Sequence, residues 1–402
     1  MSVSKWKGGK MKKLKKAALI LLTIVISLVL LGLAGVFLGH KVFFPVPTSD
    51  TPSIEAASNG TLTLGVQAHS PQPTTINEYV DVLAAQVKKY NEVAPKLWHE
   101  NAFTNQSIIV EEIEKNDFWL VKPDGEVQTL TKDEVLQLGV LRSPYFNGFS
   151  EFDGGMYIAV AEKDITNYLL FEDYLHLGTY DPFITFAHEG FHVHQEDWAE
   201  MDTVPNAGRD EFLAETAART KRNILLRQIL KAVSEPDSTR PTLEALATFE
   251  DYKVQFPDDY KASIFTDRVE GTAYYYELIS SLYSAYPDQI RDKSDLENAL
   301  ALLATREDVY VDYGLVVEGY MIGGFACVLL DRYVDDWQVR LMEDPDMTPL
   351  EMLSQHFSDE VLPAPVQVTQ AEIDAVATKI KDKSNDDAGP YLLFRFLYDL
   401  IF

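Results

Sequence analysis

The chain has 402 residues, of which 46% are hydrophobic and 24% charged, so it can bury a sizeable core and disorder is not its default state. Its one cysteine, Cys327, excludes an internal disulfide and any cysteine-based redox or zinc framework. A formal net charge of −27 argues against nucleic-acid binding, because phosphate contacts need a basic face.

The charge is unevenly placed. Residues 1–16 hold seven lysines and no acid, so the rest of the chain keeps 28 of the 35 basic side chains against all 62 acids. Residues 17–39 follow without a single charge. A helix rising about 1.5 Å per residue over that run is long enough to cross a hydrocarbon core of about 30 Å. Lys41 is the one Lys or Arg between the run and Lys88. The lysine asymmetry therefore predicts a single-pass signal anchor in the cell membrane, with a cytoplasmic tail 1–16 and an extracellular body. A cleaved signal peptide is the alternative, with Gly32-Leu33-Ala34 as a weak cleavage site, but the run exceeds the usual apolar region of such peptides. An exported chain without disulfides fits a Gram-positive bacterium.

Residues 40–76 carry five prolines among Ser, Thr, Asn and Gly and read as a semi-extended stalk. Tyr79, Val80, Leu83, Val87 and Tyr90 have helical spacing and predict a helix from Asn77 to about Tyr90. Ser107 to Leu130 reads as a strand pair turning at Pro123-Asp124-Gly125. Met156 to Ala161 is a further strand, expected at a sheet edge where an extended peptide can pair. From Asp181 onward the pattern is mostly helical. The fold class expected is α+β and helix-rich, with a strand-containing part over about 77–180 and a helical part over about 181–402.

Residues 188–192 read His-Glu-Gly-Phe-His, the HExxH pattern. Positions i and i+4 lie one turn apart on a helix face, so His188 and His192 can reach one Zn2+ at about 2.0–2.1 Å. Glu189 is then placed to deprotonate a water without ligating the metal. Asp181 and Pro182 suit a helix start, and Phe183, Phe186, Ala187, Phe191 and Trp198 supply its apolar side. His194 is expected on the surface, and Gln195, seven residues past His188, beside the metal ligands.

A catalytic zinc keeps three protein ligands and one open position. Residue 198 is Trp, so no histidine stands six residues past the motif, and a carboxylate is the better third ligand. Two segments compete. Glu211 and Glu215 form a charged stripe with Arg219, which reads most simply as a solvated helix face. Glu270 has no basic residue three or four positions on; Gly271 and Ala273 follow it, small residues that allow close helix packing. These features favour Glu270 and leave Glu211 and Glu215 open.

In these two segments the chain resembles the gluzincin metallopeptidases. Glu270-Gly271-Thr272-Ala273-Tyr274-Tyr275 is similar to their EGxAxY element, and His188 to Gln195 looks like an HExxHxxQ variant of the zinc helix. The resemblance covers about residues 150–340. It implies a zincin-like catalytic domain with His188, His192 and Glu270 as zinc ligands and Glu189 as general base. Glu211, after eighteen intervening residues, matches the shorter aminopeptidase-like spacing without its Asn-Glu-Gly-Phe-Ala context; the longer spacing to Glu270 implies an inserted helix.

Tyr320, in Glu318-Gly319-Tyr320-Met321, is the candidate for stabilising an oxyanion, with Tyr274 and Tyr275 behind it. Cys327 lies in an apolar run and reads as a buried, inert thiol. The function expected is an extracytoplasmic zinc peptidase acting on a peptide or protein. The alternative is a zinc-binding sensor or scaffold ectodomain without turnover.

Overall fold

The computed structural model describes residues 54–55, 63–64, 73–99, 105–142, 149–152, 155–160, 181–196, 198, 216–306 and 317–380. All lie within the unit Thr48–Ser384. The basic tail, the apolar run 17–39, Glu211, Glu215 and the last residues fall outside them. Among the described residues no helix is long and apolar enough to cross a membrane. Within the expected stalk, β1 (Ile54–Glu55) and β2 (Thr63–Leu64) pair antiparallel.

Helix α1 spans Ile76–Val93 and starts with a capping box: Thr75 Oγ1 accepts from the Glu78 amide, and Glu78 accepts from the Thr75 amide. Its apolar positions at Tyr79, Val80, Leu83, Val87 and Tyr90 are all buried. A five-stranded sheet follows, in the order β5-β4-β3-β7-β6, from β3 (Ser107–Glu112), β4 (Asp117–Val121), β5 (Val127–Leu130), β6 (Phe149–Phe152) and β7 (Gly155–Val160). The expected strand pair is therefore three strands. Asn116, at φ 56°, makes the first reversal, and Pro123-Asp124-Gly125 makes the second, where Gly125 at φ 83° takes the left-handed conformation.

Residues 156–160 do not form an edge. β7 pairs parallel with β3 on one side and antiparallel with β6 on the other. The reason is two-sided burial. Ile108, Val110, Met156 and Ile158 face the main core, whereas Ile109, Tyr157 and Ala159 face a smaller core closed by Val135 and Val140. Val135 lies on the short helix α2 (Lys132–Gln137). A strand covered on both faces reads as a continuous apolar run, which says nothing about its place in the sheet.

The helical part begins with α3 (Asp181–Gln195), which carries HExxH. Phe183 and Phe186 pack edge-on against Tyr90 of α1, and Phe191 stacks on Tyr276 at 4.7 Å. Each fully buried aromatic of this kind contributes about 1.5–3 kcal/mol. Among the described residues three helices then intervene, α4 (Thr216–Ser234), α5 (Arg240–Gln255) and α6 (Pro257–Phe265), where the long spacing implied one. A π-turn, Thr266–Glu270, runs into α7 (Gly271–Ala285); α8 (Lys293–Ala304) and α9 (Val317–Tyr333) follow. The described part closes with α10 (Trp337–Glu343), α11 (Pro349–His356) and a helical stretch over 370–380, opened by the Thr369–Glu372 capping box.

The π-turn and α9 meet backbone to backbone. A Cβ on Gly323 would stand 2.0 Å from the Asp267 carbonyl oxygen, and one on Gly271 would stand 2.5 Å from the Gly323 Cα. Beside this contact lies a buried ion network. Arg222 of α4 donates to Asp267 of the π-turn and to Glu318 of α9, and Arg219 donates to Glu318 and Asp259. Arg219 is thus an interior residue, not part of a solvated stripe, because acids from α6 and α9 meet it there. Removing one partner of such a buried pair costs about 3–5 kcal/mol, since a charge is left unpaired. The network holds two backbone segments in register: one ends at Glu270, and the other carries Tyr320.

Candidate metal centre

His188 and His192 project from one face of α3, with ring centroids 4.8 Å apart. Glu270, the last residue of the π-turn, sets one carboxylate oxygen, Oε2, 3.4 Å from His188 Nε2 and 3.2 Å from His192 Nε2. Donor atoms of the three residues all lie within 4.8 Å of one another. Two ligand atoms on one tetrahedral zinc, with bonds of about 2.0–2.2 Å, sit roughly 3–4 Å apart, so the spacing suits such an ion. A π-turn admits one extra residue into the helical path, which shifts where the following side chains point.

The other ring nitrogens are taken up. His188 Nδ1 lies 2.9 Å from Glu277 Oε2, and His192 Nδ1 lies 2.6 Å from Gln195 Oε1. Glu277 is a site residue that the sequence reading left without a role. It stands seven residues past Glu270, two turns along on nearly the same face, and that periodicity is the signal that would have found it. A histidine ligand whose second nitrogen meets a carboxylate or carbonyl oxygen is held in one tautomer and orientation.

The electrostatics describe a place prepared for a cation. Burial works against a charge on His188, but hydrogen bonds to Glu270 and Glu277 outweigh it and raise its pKa to about 10. Burial acts in the opposite direction on Glu270, yet its contacts with His188 and His192 hold it well below the usual carboxylate range. Burial pushes Glu277 up, and His188 opposes that shift. A proton on His188 balances part of the negative charge of Glu270 and Glu277.

Tyr320 stacks on His188 with centroids 5.6 Å apart and planes 9° from parallel. Its hydroxyl is hydrogen-bonded to Glu270, and burial together with that carboxylate raises its pKa, so it stays a donor. Glu189 is half-buried on the same helix, and its charge acts on His188, Glu277 and Tyr320.

Other expected residues lie elsewhere. Tyr275 is buried and donates to Asp331 at 2.6 Å, so it does not stand behind Tyr320, while the Tyr274 ring packs on Phe325 and Gly324. His194 is half-buried, wedged among Trp98, Phe191 and Trp198. The apolar side of α3 continues past the motif, and the imidazole fills it. His356 ends α11 and stacks on Tyr333. Cys327 is fully buried, and burial raises its thiol pKa well above the usual value. No family model, curated protein or solved structure matches the chain.

Proposed function

We propose that the body of this chain is an extracytoplasmic zinc-dependent peptide-bond hydrolase of the gluzincin kind, tethered to the membrane by residues 17–39. The observation that carries this reading is the convergence of His188 Nε2 and His192 Nε2 on a single oxygen of Glu270, with both Nδ1 atoms occupied by Glu277 and Gln195. Zn2+ suits two imidazoles and a carboxylate, and when bound it supplies a Lewis acid that polarises a carbonyl and eases the ionisation of water.

The chain's own residues do the rest. Glu189 is the general base: it takes the proton of the attacking water and passes it to the leaving amine. Tyr320, protonated at all ordinary pH, donates its hydroxyl to the oxyanion that develops on the scissile carbonyl. Glu277 and Gln195 keep the histidines aimed. With β7 enclosed, the strands open to an extended peptide are β5 and β6, the two edges of the sheet among the described residues.

The purified full-length chain is expected to hold one zinc per molecule and to cleave members of a peptide library, losing turnover to a chelator and regaining it with Zn2+. Zinc without turnover would leave the sensor or scaffold reading in place; no bound metal would end both. The membrane tether has a separate check. Protease added to intact cells should digest the body and spare the lysine-rich tail, and a protected body would overturn an extracellular location.

A further inference from the structure

Gln195 ends α3 and is fully buried. Its Nε2 donates to the Val269 carbonyl oxygen at 2.9 Å and to Thr272 Oγ1 at 2.7 Å. A backbone carbonyl has no proton to give, so the nitrogen of this amide must face Val269 and its oxygen must face His192. An amide oxygen only accepts. His192 Nδ1 therefore carries a proton and donates it to Gln195 Oε1, which leaves Nε2 as the atom turned toward Glu270.

Gln195 does more than select a tautomer. Val269 is the peptide neighbour of Glu270, so one neutral side chain joins the second histidine to the backbone next to the third ligand. Glu277, by contrast, meets His188 alone among the metal-site side chains.

We propose that Gln195 is a positioning residue that couples His192 to Glu270, so that the two are set as one unit for the metal. The inference rests on the zinc reading above. Its physical basis is distance along the chain: α3 and the π-turn are 74 residues apart at this contact, and the amide bridges them directly. Loss of an outer partner of a metal ligand typically costs about 10–100-fold in metal affinity.

The test compares the full-length wild type with Gln195→Leu and Gln195→Glu, using Zn2+ alone in competition titrations, Co2+ as a spectroscopic probe, and the melting temperature of the metal-free chain. Leucine is of similar size and removes both links. The Val269 carbonyl then has a substitute donor, because the Thr272 hydroxyl lies 3.1 Å away. Glutamate keeps an acceptor for His192 Nδ1 and sets an oxygen against Val269 instead of a donor.

Gln195→Leu is expected to lower Zn2+ affinity by about 10–100-fold and to change the Co2+ absorption, with little shift in metal-free melting. Gln195→Glu should recover only part of the affinity, and it decides the question alone if the leucine variant does not fold. Wild-type affinity in Gln195→Leu, or full affinity in Gln195→Glu, overturns the coupling. A wild type that takes up no zinc fails in a different place: it overturns the metal reading itself, and the coupling with it.

Discussion

Glu270→Ala is expected to strip zinc from the protein and abolish peptide cleavage, while Glu211→Ala leaves both nearly intact. Glu270 supplies the only carboxylate grouped with His188 and His192 among the described residues. Removing it deletes a bond to a dication and takes negative charge away from a buried site. The loss should therefore exceed the roughly 10–100-fold penalty of losing an outer partner. The substitution also leaves His188 with Glu277 alone, so the ring keeps its orientation but loses its acceptor at Nε2. Metal content after dialysis and a Zn2+ competition titration give the answer directly. Should Glu211→Ala strip the metal and Glu270→Ala spare it, the shorter spacing was the informative one, and the geometry around the π-turn has another purpose.

Glu189→Gln should have the opposite signature, with zinc retained and turnover lost. The amide is nearly isosteric and cannot accept a proton. A positioned general base contributes about 10²–10⁴-fold, and the decrease should appear in kcat rather than in zinc affinity. Glu189 is not a member of the ligand group, so its replacement removes no donor from the metal. A variant that cleaves peptides at the wild-type rate would remove Glu189 from the mechanism. A variant that loses zinc would make it a ligand and not a base.

Much of the site can be read along the chain because it is local. The i, i+4 histidines, the glutamate between them and the glutamine three residues on depend only on helical geometry, and α3 forms where its starting residues and apolar side predict it. Helix α1 is legible for the same reason. Its capping box at Thr75 and Glu78 is an equally local signal that the sequence reading passed over.

What lies beyond local geometry is decided by partners far away in sequence. Glu277 looks like any acid on a helix until His188, 89 residues earlier, is set against it. Arg219 looks solvated until Glu318, 99 residues later, reaches it in the interior. Both faces of β7 are covered, which hides the two-residue period that distinguishes an edge from an interior strand, so sheet order came only with the fold. Residue types and short spacings by themselves determined that this chain has an HExxH helix, a charge-free run behind a basic tail, and a helix-rich body. Only the tertiary structure could bring Glu270 to that helix. Its position depends on a π-turn, on the glycines that let α9 approach, and on Arg222, which ties both segments from a third helix.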